Sequence, residues 1–476
     1  MKIINPSTGE VIRELAQSSA EEAQQAVAQA RREFDCGSWP KITLAERRKI
    51  IAGIGKGILD NAAELARIET ENCGKPIKET TFMDVPSSAK AFEYFAGHLE
   101  EFLRPENRQV AAEAEALLLR EPLGVAVLIV PWNYPLLIAG WKAAQALAAG
   151  NCVVLKPSAH TPLTALRLRE IAVAAGVPEA AFQAVVASGE EVGEALCADK
   201  RVDMISFTGS NAVGKKIFAY ASENVKKLNM ELGGKSAGII LEDADLEAAV
   251  NGSLCSIMLN QGQMCTAMSR IFVQEKIYSQ FIADFSAKAR RIKLGRADDY
   301  EAQMGPLISE GQRRRVAGYV EKAIAEGAKL VCGGEIPAQP GLKNGFFFAP
   351  TIFAEVTAQM PIFQEEVFGP VACVTKFKDT QEVASLANAS DFALAASIWS
   401  ADIEKAKALA GRINAGTVWI NTYGMFYEEL PFGGFKKSGF GKELGREGFL
   451  EYTRLKTVIE DKSKDSKPLV NYWYGF

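Results

Sequence analysis

The sequence predicts a mixed α/β protein with two doubly wound lobes and a small additional β element. From residue 123, short β-branched runs alternate with Ala- and Leu-rich segments, an order typical of parallel sheets covered by helices. The alternation restarts near residue 234, which indicates a second lobe. The chain has 476 residues, more than a single hydrophobic core usually serves, so more than one core is expected.

The segments before, between and after these lobes have patterns of their own. Residues 20–105 repeat Ala, Val and Ile at helical spacing and predict a helical front to the first lobe. Residues 104–122 and the tail after 447 lie outside both lobes and carry short mixed runs. These two segments could form a small sheet that pairs subunits.

Composition indicates a protein that acts on small molecules. Hydrophobic residues make up 48% and charged residues 24% of the chain, and the net charge is −4, which argues against nucleic-acid binding and against disorder. The first residues turn polar before an apolar run develops, so we expect no secretory signal and a cytoplasmic location. The most apolar stretch, 123–150, is interrupted by prolines and a lysine, which favours a buried strand and helix over a membrane span.

The cysteines and histidines restrict the possible chemistry. The eight cysteines form no CxxC pair, so reduced thiols are expected, and two histidines, His98 and His160, cannot build a multi-histidine metal site. Any general base is therefore more readily a carboxylate. Cys265 lies among small and polar residues in GQMCTAMSR, whereas Cys152 and Cys373 lie in apolar strand runs. Context alone makes Cys265 a candidate nucleophile, although packing is the commoner role of a thiol.

Polar residues follow several predicted strands, at the edge where open α/β sheets bind ligands. Burial of Glu231, in MELGGKS, would raise its pKa toward neutrality and suit a general base; an ion pair with Lys235 is the alternative. Asn133, in PWNYP, could donate to an oxyanion or merely form a turn. Lys156 could hold ribose hydroxyls or a phosphate, or be solvated.

The segment FTGSNAVGK also follows a strand and opens a helix. Backbone amides at Gly209 and Ser210 could face a pyrophosphate there. The glycine spacing is not GxGxxG, and Gly214 could serve helix packing alone.

Seven motifs taken together carry a family resemblance. PWNYP, LKPS, FTGS, MELGGKS, GQMCTAMSR, EEVFGPV and PFGGFKKSGFGKELG stand in the order and approximate spacing of the aldehyde dehydrogenase superfamily, which the chain resembles over nearly its whole length. The resemblance implies the aldehyde dehydrogenase fold: an NAD(P)-binding domain from 1–103 and 123–233, a catalytic domain from 234–446, and an oligomerisation element from 104–122 and 447–476. A homodimer or homotetramer is implied as well.

The resemblance also implies catalytic roles. Cys265 would attack the aldehyde carbonyl, while Asn133 and the backbone N–H of Cys265 hold the oxyanion. Glu231 would activate the water that hydrolyses the thioester. Relatives that pass the thioester to coenzyme A generally lack this glutamate, so a carboxylic acid is the expected product. Lys142 and Glu443 match a pair thought to relay protons, although a simple ion pair is the alternative.

A dinucleotide site is implied at residues Val130, Pro131, Trp132, Lys156, Ser158, Ala159, Gly189, Phe207, Thr208, Gly209, Ser210, Leu232, Gly233, Glu366 and Phe368. Lys156 and Glu366 would hold the two riboses, and Phe368 would lie near the nicotinamide. Many NAD-preferring members carry a glutamate where this chain has Ala159, and that glutamate repels a 2′-phosphate. We therefore expect NAD as the working cofactor, with NADP tolerated.

An aldehyde tunnel is implied at Tyr134, Trp141, Leu259, Met264, Thr266, Phe426 and Phe432. Aromatic walls suit an aliphatic chain, an aromatic ring or, through cation–π attraction, a quaternary ammonium. Glu428 and Glu429 could attract a cationic aldehyde or be solvated surface charges. The absence of an arginine beside Cys265 disfavours ω-carboxylated aldehydes.

The substrate ranking keeps alternatives open. Betaine aldehyde and aminoaldehydes rank slightly ahead of medium-chain or aromatic neutral aldehydes. A coenzyme A-acylating dehydrogenase and an inactive member with a structural or binding role are the remaining alternatives.

Overall fold

The computed structural model describes residues 1–111, 114–462 and 473–475. The chain opens with a hairpin of β1 (Lys2–Ile4) and β2 (Val11–Glu14), and a helical layer follows: α1 (Ala20–Cys36), α2 (Leu44–Asp60), α3 (Ala62–Cys73), α4 (Ile77–Glu79), a π-helix over Thr80–Asp84, and α5 (Val85–Phe102). Capping boxes at Ser19 with Glu22 and at Thr43 with Glu46 start α1 and α2. The predicted helical front is therefore present.

The first lobe is a six-stranded sheet with helices between its strands. Its elements are β5 (Val125–Ile129), α6 (Pro135–Ala149), β6 (Cys152–Lys156), α7 (Leu163–Ala175), β7 (Phe182–Ala184), α8 (Glu190–Ala198), β8 (Met204–Thr208), α9 (Asn211–Ser222) and β9 (Lys227–Glu231). The strands from β5 to β9 pair in parallel in the order β9-β8-β5-β6-β7. β5, β6 and β8 are apolar over nearly their whole length because helices cover both faces.

The second lobe is a seven-stranded sheet. Its elements are β10 (Ala237–Ile240), α10 (Leu246–Met258), β11 (Arg270–Gln274), α11 (Tyr278–Ala289), α12 (Glu310–Ala325), β12 (Lys329–Cys332), β13 (Thr351–Ala354), α13 (Pro361–Gln364), β14 (Val371–Phe377), α14 (Thr380–Asn388), β15 (Phe392–Ala393), β16 (Ala395–Trp399), α15 (Ile403–Ala410) and β17 (Thr417–Ile420). The sheet order is β12-β13-β14-β11-β10-β16-β17, parallel except for the β12 edge. The predicted α/β class with two lobes is confirmed.

The end of the chain returns to the first lobe. β18 (Phe435–Lys436) pairs with β15, and β19 (Gly439–Phe440) adds an antiparallel edge to β9. After α16 (Gly445–Glu451), β20 (Thr453–Asp461) pairs with β4 (Ala114–Pro122), which also pairs with β3 (Glu106–Ala111). The predicted small sheet is present, although residues 112–113, 463–472 and 476 of the predicted element lie outside the described residues. Its role in pairing subunits, and the domain limits, stay predictions.

A search of the described residues for helices long and apolar enough to cross a bilayer finds none.

Candidate active site

The order in which successive strands are added to the first sheet reverses between the parallel neighbours β5 and β8. From β5 the chain continues to β6 and β7 on one side, whereas β8 and β9 lie on the other side. The loops after β5 and β8 therefore part at this point and leave a crevice at the carboxyl ends of the strands. Open α/β sheets bind ligands in such a crevice, so a ligand-binding site is expected here.

A cavity of about 480 Å³ lies at this crevice and extends between the lobes. Its lining includes Cys265, Glu231, Asn133 and Glu443, all predicted as catalytic. It also includes every residue predicted for the aldehyde tunnel: Tyr134, Trp141, Leu259, Met264, Thr266, Phe426 and Phe432. The structure thus brings together, around one cavity, residues as distant in sequence as Asn133 and Glu443, which are 310 positions apart.

The predicted cofactor residues divide into two groups. Those that line the cavity are Pro131, Trp132, Thr208, Gly209, Ser210, Leu232, Gly233, Glu366 and Phe368. The cavity does not reach Val130, Lys156, Ser158, Ala159, Gly189 and Phe207. Three of these six residues lie beside the same crevice, because Val130 follows β5, Lys156 ends β6 and Phe207 lies in β8.

Cys265 lies in the loop between α10 and β11, where its carbonyl contacts the loop after β9. A Cβ added to Gly234 would lie 2.1 Å from the Cys265 carbonyl oxygen, so the two backbones approach as closely as glycine permits. The Cys265 residue is half-buried. Burial, followed by the nearby carboxyl groups of Glu366 and Glu231, raises its pKa to about 12. The thiol is therefore protonated in the cavity until something lowers that pKa.

A strained turn before Cys265 holds Asn133 in place. Asn260 and Gln261 adopt positive φ angles of 46° and 56°. The Asn260 side-chain amide donates to the Asn133 carbonyl at 2.9 Å, and the Asn133 amide donates to the Gln263 carbonyl at 2.8 Å. One of the two N–H groups of Asn133 remains for a ligand, which is the donor that an oxyanion requires.

Glu231 ends β9 and is 4% exposed. Its Oε1 is buried without a hydrogen-bond partner among the described residues, and a Cβ on Gly433 would lie 2.4 Å from that atom. Burial, followed by repulsion from Glu443, raises its pKa well above the usual range. The alternative ion pair with Lys235 is not found in the described chain, since the Lys235 ammonium is also buried without a hydrogen-bond partner.

A buried ion pair lies behind Glu231. Lys142 Nζ is 2.5 Å from Glu443 Oε1, and both side chains are almost fully buried. Lys142 also donates to Ser206 Oγ at 2.7 Å, while Gln145 and Asn229 donate to the Glu443 carboxylate at 2.8 and 3.1 Å. The pair is thus fully hydrogen-bonded, which is the condition under which a buried pair persists.

Aromatic rings form one wall of the cavity. The Phe426 ring centroid lies 5.8 Å from Trp141, 5.2 Å from Phe432 and 5.6 Å from Trp419. The Trp141 Nε1 is buried without a hydrogen-bond partner among the described residues. On the other side, Lys75 Nζ lies 3.8 Å from the Tyr134 ring centroid. Apolar faces and a few polar atoms suit a small organic ligand.

Several lining residues escaped the sequence analysis. Tyr423 contacts Thr266, with 3.2 Å between the hydroxyl oxygens. The fully buried Lys75 forms an ion pair with Asp84, which lines the cavity. Glu428, left open between a binding role and a solvated one, is 5% exposed and lines the cavity, whereas Glu429 is exposed. Packing partners remote in sequence set these positions, and a local pattern carries no signal for them.

Comparisons with known proteins identify a family for the chain. The family model described as the aldehyde dehydrogenase family matches residues 1–458. The chain is 44% identical to a betaine aldehyde dehydrogenase of Bacillus subtilis, over 99% of this chain and 96% of that relative. A crystal structure of betaine aldehyde dehydrogenase from Staphylococcus aureus in complex with NAD+ superposes with a TM-score of 0.96 at 39% identity, covering 98% of this chain and 93% of that one. PnpE from Pseudomonas sp. WBC-3 superposes with a TM-score of 0.95 at 38% identity, covering 98% and 95%. With the matched family model spanning nearly all of its residues, the chain belongs to the aldehyde dehydrogenase family.

Proposed function

We propose that this chain oxidises a positively charged aldehyde, of the betaine aldehyde or aminoaldehyde type, to its carboxylic acid with NAD+. The observation that carries the proposal is the meeting of Cys265, Glu231 and Asn133 on one cavity beside a dinucleotide-type crevice. Relatives named betaine aldehyde dehydrogenase, one of them crystallised with NAD+, support both the reaction and the cofactor.

The residues at the crevice fit a dinucleotide. Lys156 Nζ makes a long hydrogen bond, 3.4 Å, to the Ala187 carbonyl, which leaves its other donors for ribose hydroxyls. A Cβ on Gly233 would lie 2.6 Å from Glu366 Oε2, so the backbone there lies directly against the carboxylate. Trp132 and Phe368 meet edge to face with centroids 5.2 Å apart on the cavity wall, a surface that suits a flat ring. When bound, NAD+ supplies the hydride acceptor.

The chain's own residues then perform two steps. The Cys265 thiol gives its proton to water and its sulfur bonds to the carbonyl carbon, while the Asn133 amide and the Cys265 backbone N–H stabilise the oxyanion. Oxidation leaves a thioester on Cys265. Glu231 accepts a proton from water as the water oxygen attacks the thioester carbon, and the carbon–sulfur bond breaks to release the acid and regenerate the thiol.

The charge of the cavity supports a cationic substrate. Among the described lining residues, Asp84, Glu231, Glu366, Glu428 and Glu443 carry carboxyl groups, and Arg315 is the one basic side chain. Arg315 donates to the Glu366 carbonyl at 2.8 Å, on the cofactor side. A cation in this cleft would stabilise the ionised forms of Glu231 and Glu366, whose pKa values are raised by burial, and the aromatic wall adds cation–π attraction.

The test is a comparison of kcat/KM among four aldehydes, measured through the formation of NADH. Betaine aldehyde, 4-aminobutyraldehyde, hexanal and benzaldehyde are compared, and Cys265→Ser serves as the control without a nucleophile. We expect the two cationic aldehydes to lead and the variant to be inactive. An equal response to all four aldehydes would remove the substrate ranking, and silence of the wild type would remove the enzymatic proposal. Product analysis with and without coenzyme A separates a free acid from a thioester product.

We also propose that the small sheet pairs subunits into a homodimer or homotetramer. The proposed domain limits are 1–103 with 123–233 for the NAD(P)-binding domain, 234–446 for the catalytic domain, and 104–122 with 447–476 for the oligomerisation element. β20 is an edge strand that exposes Leu455, Val458 and Ile459, and an apolar exposed edge is suited to association. Sedimentation of the wild type against Ile459→Lys tests this proposal. A wild type that sediments as a monomer would refute it.

A further inference from the structure

Glu428 lines the cavity, and one of its carboxylate oxygens has an ion-pair partner but no hydrogen bond among the described residues. The side chain is 5% exposed, it lines the cavity, and its Oε2 is buried without a hydrogen bond among the described residues. Lys90 Nζ lies 3.4 Å from the same oxygen, and the lysine side chain is 62% exposed. A buried acceptor without a donor is costly, so a ligand that brings a donor to this oxygen gains affinity from it.

A second acidic residue, Asp84, lines the same cavity as Glu428. Asp84, Ser87 and Lys90 recur at three-residue spacing from the end of the π-helix into α5, so they share one side of the helix. Asp84 and Ser87 line the cavity, and Asp84 Oδ1 is a second buried acceptor without a hydrogen bond in the described chain, while Oδ2 binds Lys75. Two residues that line the cavity therefore each have a buried carboxylate oxygen without a hydrogen-bond donor in the part of the chain that the structure describes.

The neighbouring aromatic rings form the walls beside this acceptor. Phe426, two residues before Glu428, packs against Trp141. The backbone of Glu428 is fixed, because its carbonyl accepts from Gly445 N at 2.8 Å. The Glu428 side chain is 5% exposed and lines the same cavity as these rings, and a charge-assisted hydrogen bond is strong where water is scarce.

We propose that Glu428 is the specificity-determining residue that accepts a hydrogen bond from a protonated amine at the end of the aldehyde remote from its carbonyl group. This inference rests on the proposed function. Lys90 is the counter-ion of Glu428 in the free enzyme, and its exposed ammonium moves to solvent when the substrate amine takes its place. A primary ammonium carries N–H donors, whereas a quaternary ammonium satisfies charge alone. Primary aminoaldehydes are therefore preferred to trimethylammonium aldehydes, and both to neutral aldehydes.

The first test compares 3-aminopropanal with butanal, which has the same length but no charge. Glu428→Gln should lower kcat/KM for 3-aminopropanal about tenfold or more and change that for butanal less than about twofold. Glu429→Gln removes the same charge from the exposed neighbour and should leave both values within about twofold of the wild type. The preserved butanal activity shows that each variant is folded.

The second test uses Lys90→Met to separate substrate recognition from a structural ion pair. If Lys90 competes with the substrate for Glu428, its removal raises kcat/KM for 3-aminopropanal and leaves butanal unchanged. If the pair merely holds the loop to α5, Lys90→Met and Glu428→Gln lower activity together on both aldehydes. The second pattern would overturn the inference, as would an equal loss on both aldehydes in Glu428→Gln.

The two proposals fail in different ways. A wild type that oxidises butanal but gains nothing from the amine refutes the role of Glu428 and leaves the dehydrogenase activity standing. A wild type that oxidises neither aldehyde with NAD+ refutes the proposed function itself. An N,N,N-trimethyl derivative of 3-aminopropanal that outperforms the primary amine would overturn the stated preference for N–H donors.

Discussion

Replacing Glu231 with glutamine removes the proposed general base while keeping the shape of the side chain. The side chain is 4% exposed, and the backbone at Gly433 packs against its Oε1. Glutamine occupies the same volume, so Cys265 and Asn133 keep their positions. The variant therefore tests proton transfer rather than packing.

The expected loss follows from the role of the group. A positioned base contributes about 10²- to 10⁴-fold to a rate, so kcat should fall by that factor, equivalent to about 3–5 kcal/mol in the barrier. Burial and Glu443 raise the pKa of Glu231, so the wild-type kcat should rise with pH as the carboxyl ionises through that raised pKa. The glutamine variant should lack this rise.

The contribution of Glu231 to the free energy of unfolding should fall as pH rises, whereas kcat should rise. A carboxyl whose pKa is raised in the folded protein is protonated more readily there than in the unfolded chain. Its contribution to stability is therefore full below the ordinary value of 4.5 and declines as pH rises through the folded pKa. The glutamine variant should consequently gain stability relative to the wild type at alkaline pH.

The assay is stopped-flow NADH formation followed by intact mass measurement. Because the water step is slowed while attack by Cys265 remains, the variant should accumulate an acyl group on Cys265, seen as added mass. Glu429→Gln, an exposed acidic residue, is the control and should turn over as the wild type does. A loss of kcat below about tenfold, or a rise with pH that persists in Glu231→Gln, would refute the assignment of the base.

Four further predictions follow from the site. Lys142→Met should lower the free energy of unfolding by about 3–5 kcal/mol because it leaves the Glu443 charge buried alone, and Lys142→Met with Glu443→Leu should recover most of it in urea titrations. Asn133→Ala should lower kcat about 10²- to 10³-fold, measured at saturating aldehyde, because an oxyanion donor is lost. Wild-type discrimination against NADP should stay below about a hundredfold in kcat/KM, and Ala159→Glu should increase it. Iodoacetamide should alkylate Cys265 slowly at neutral pH and faster with each rise in pH, because its pKa is about 12; a pH-independent rate would contradict that value.

The sequence was informative where function depends on strand ends. Glu231 ends β9, and Asn133 lies shortly after β5, as expected from apolar runs followed by glycine or proline. Such runs mark buried strands through their composition, and the carboxyl edge of a parallel sheet follows from the alternation with helices. The sequence pattern alone therefore predicts that both residues lie at the carboxyl edge of the first sheet.

The sequence was uninformative where position depends on packing between distant segments. Glu428 and Glu429 are adjacent acidic residues in a loop, and no local pattern distinguishes them. The structure buries Glu428 and exposes Glu429, and Lys90 of α5 lies against the buried one. A contact between residues 338 positions apart sets the difference, which periodicity and turn propensity do not encode.

The charges of the cavity explain why the nucleophile and the base can lie close together without inactivating each other. Two carboxyl groups near the thiol, Glu366 and Glu231, raise the pKa of Cys265, and burial raises the pKa of both carboxyl groups in turn, that of Glu366 to about 7. Cys265 and Glu231 therefore favour their neutral forms in the free cavity, where a negative charge has little solvation. A positive charge brought in by the cofactor or the substrate reverses this balance, because it stabilises the thiolate and the carboxylates together. We therefore expect the Cys265 thiol to ionise more readily when the cavity is occupied than when it is empty.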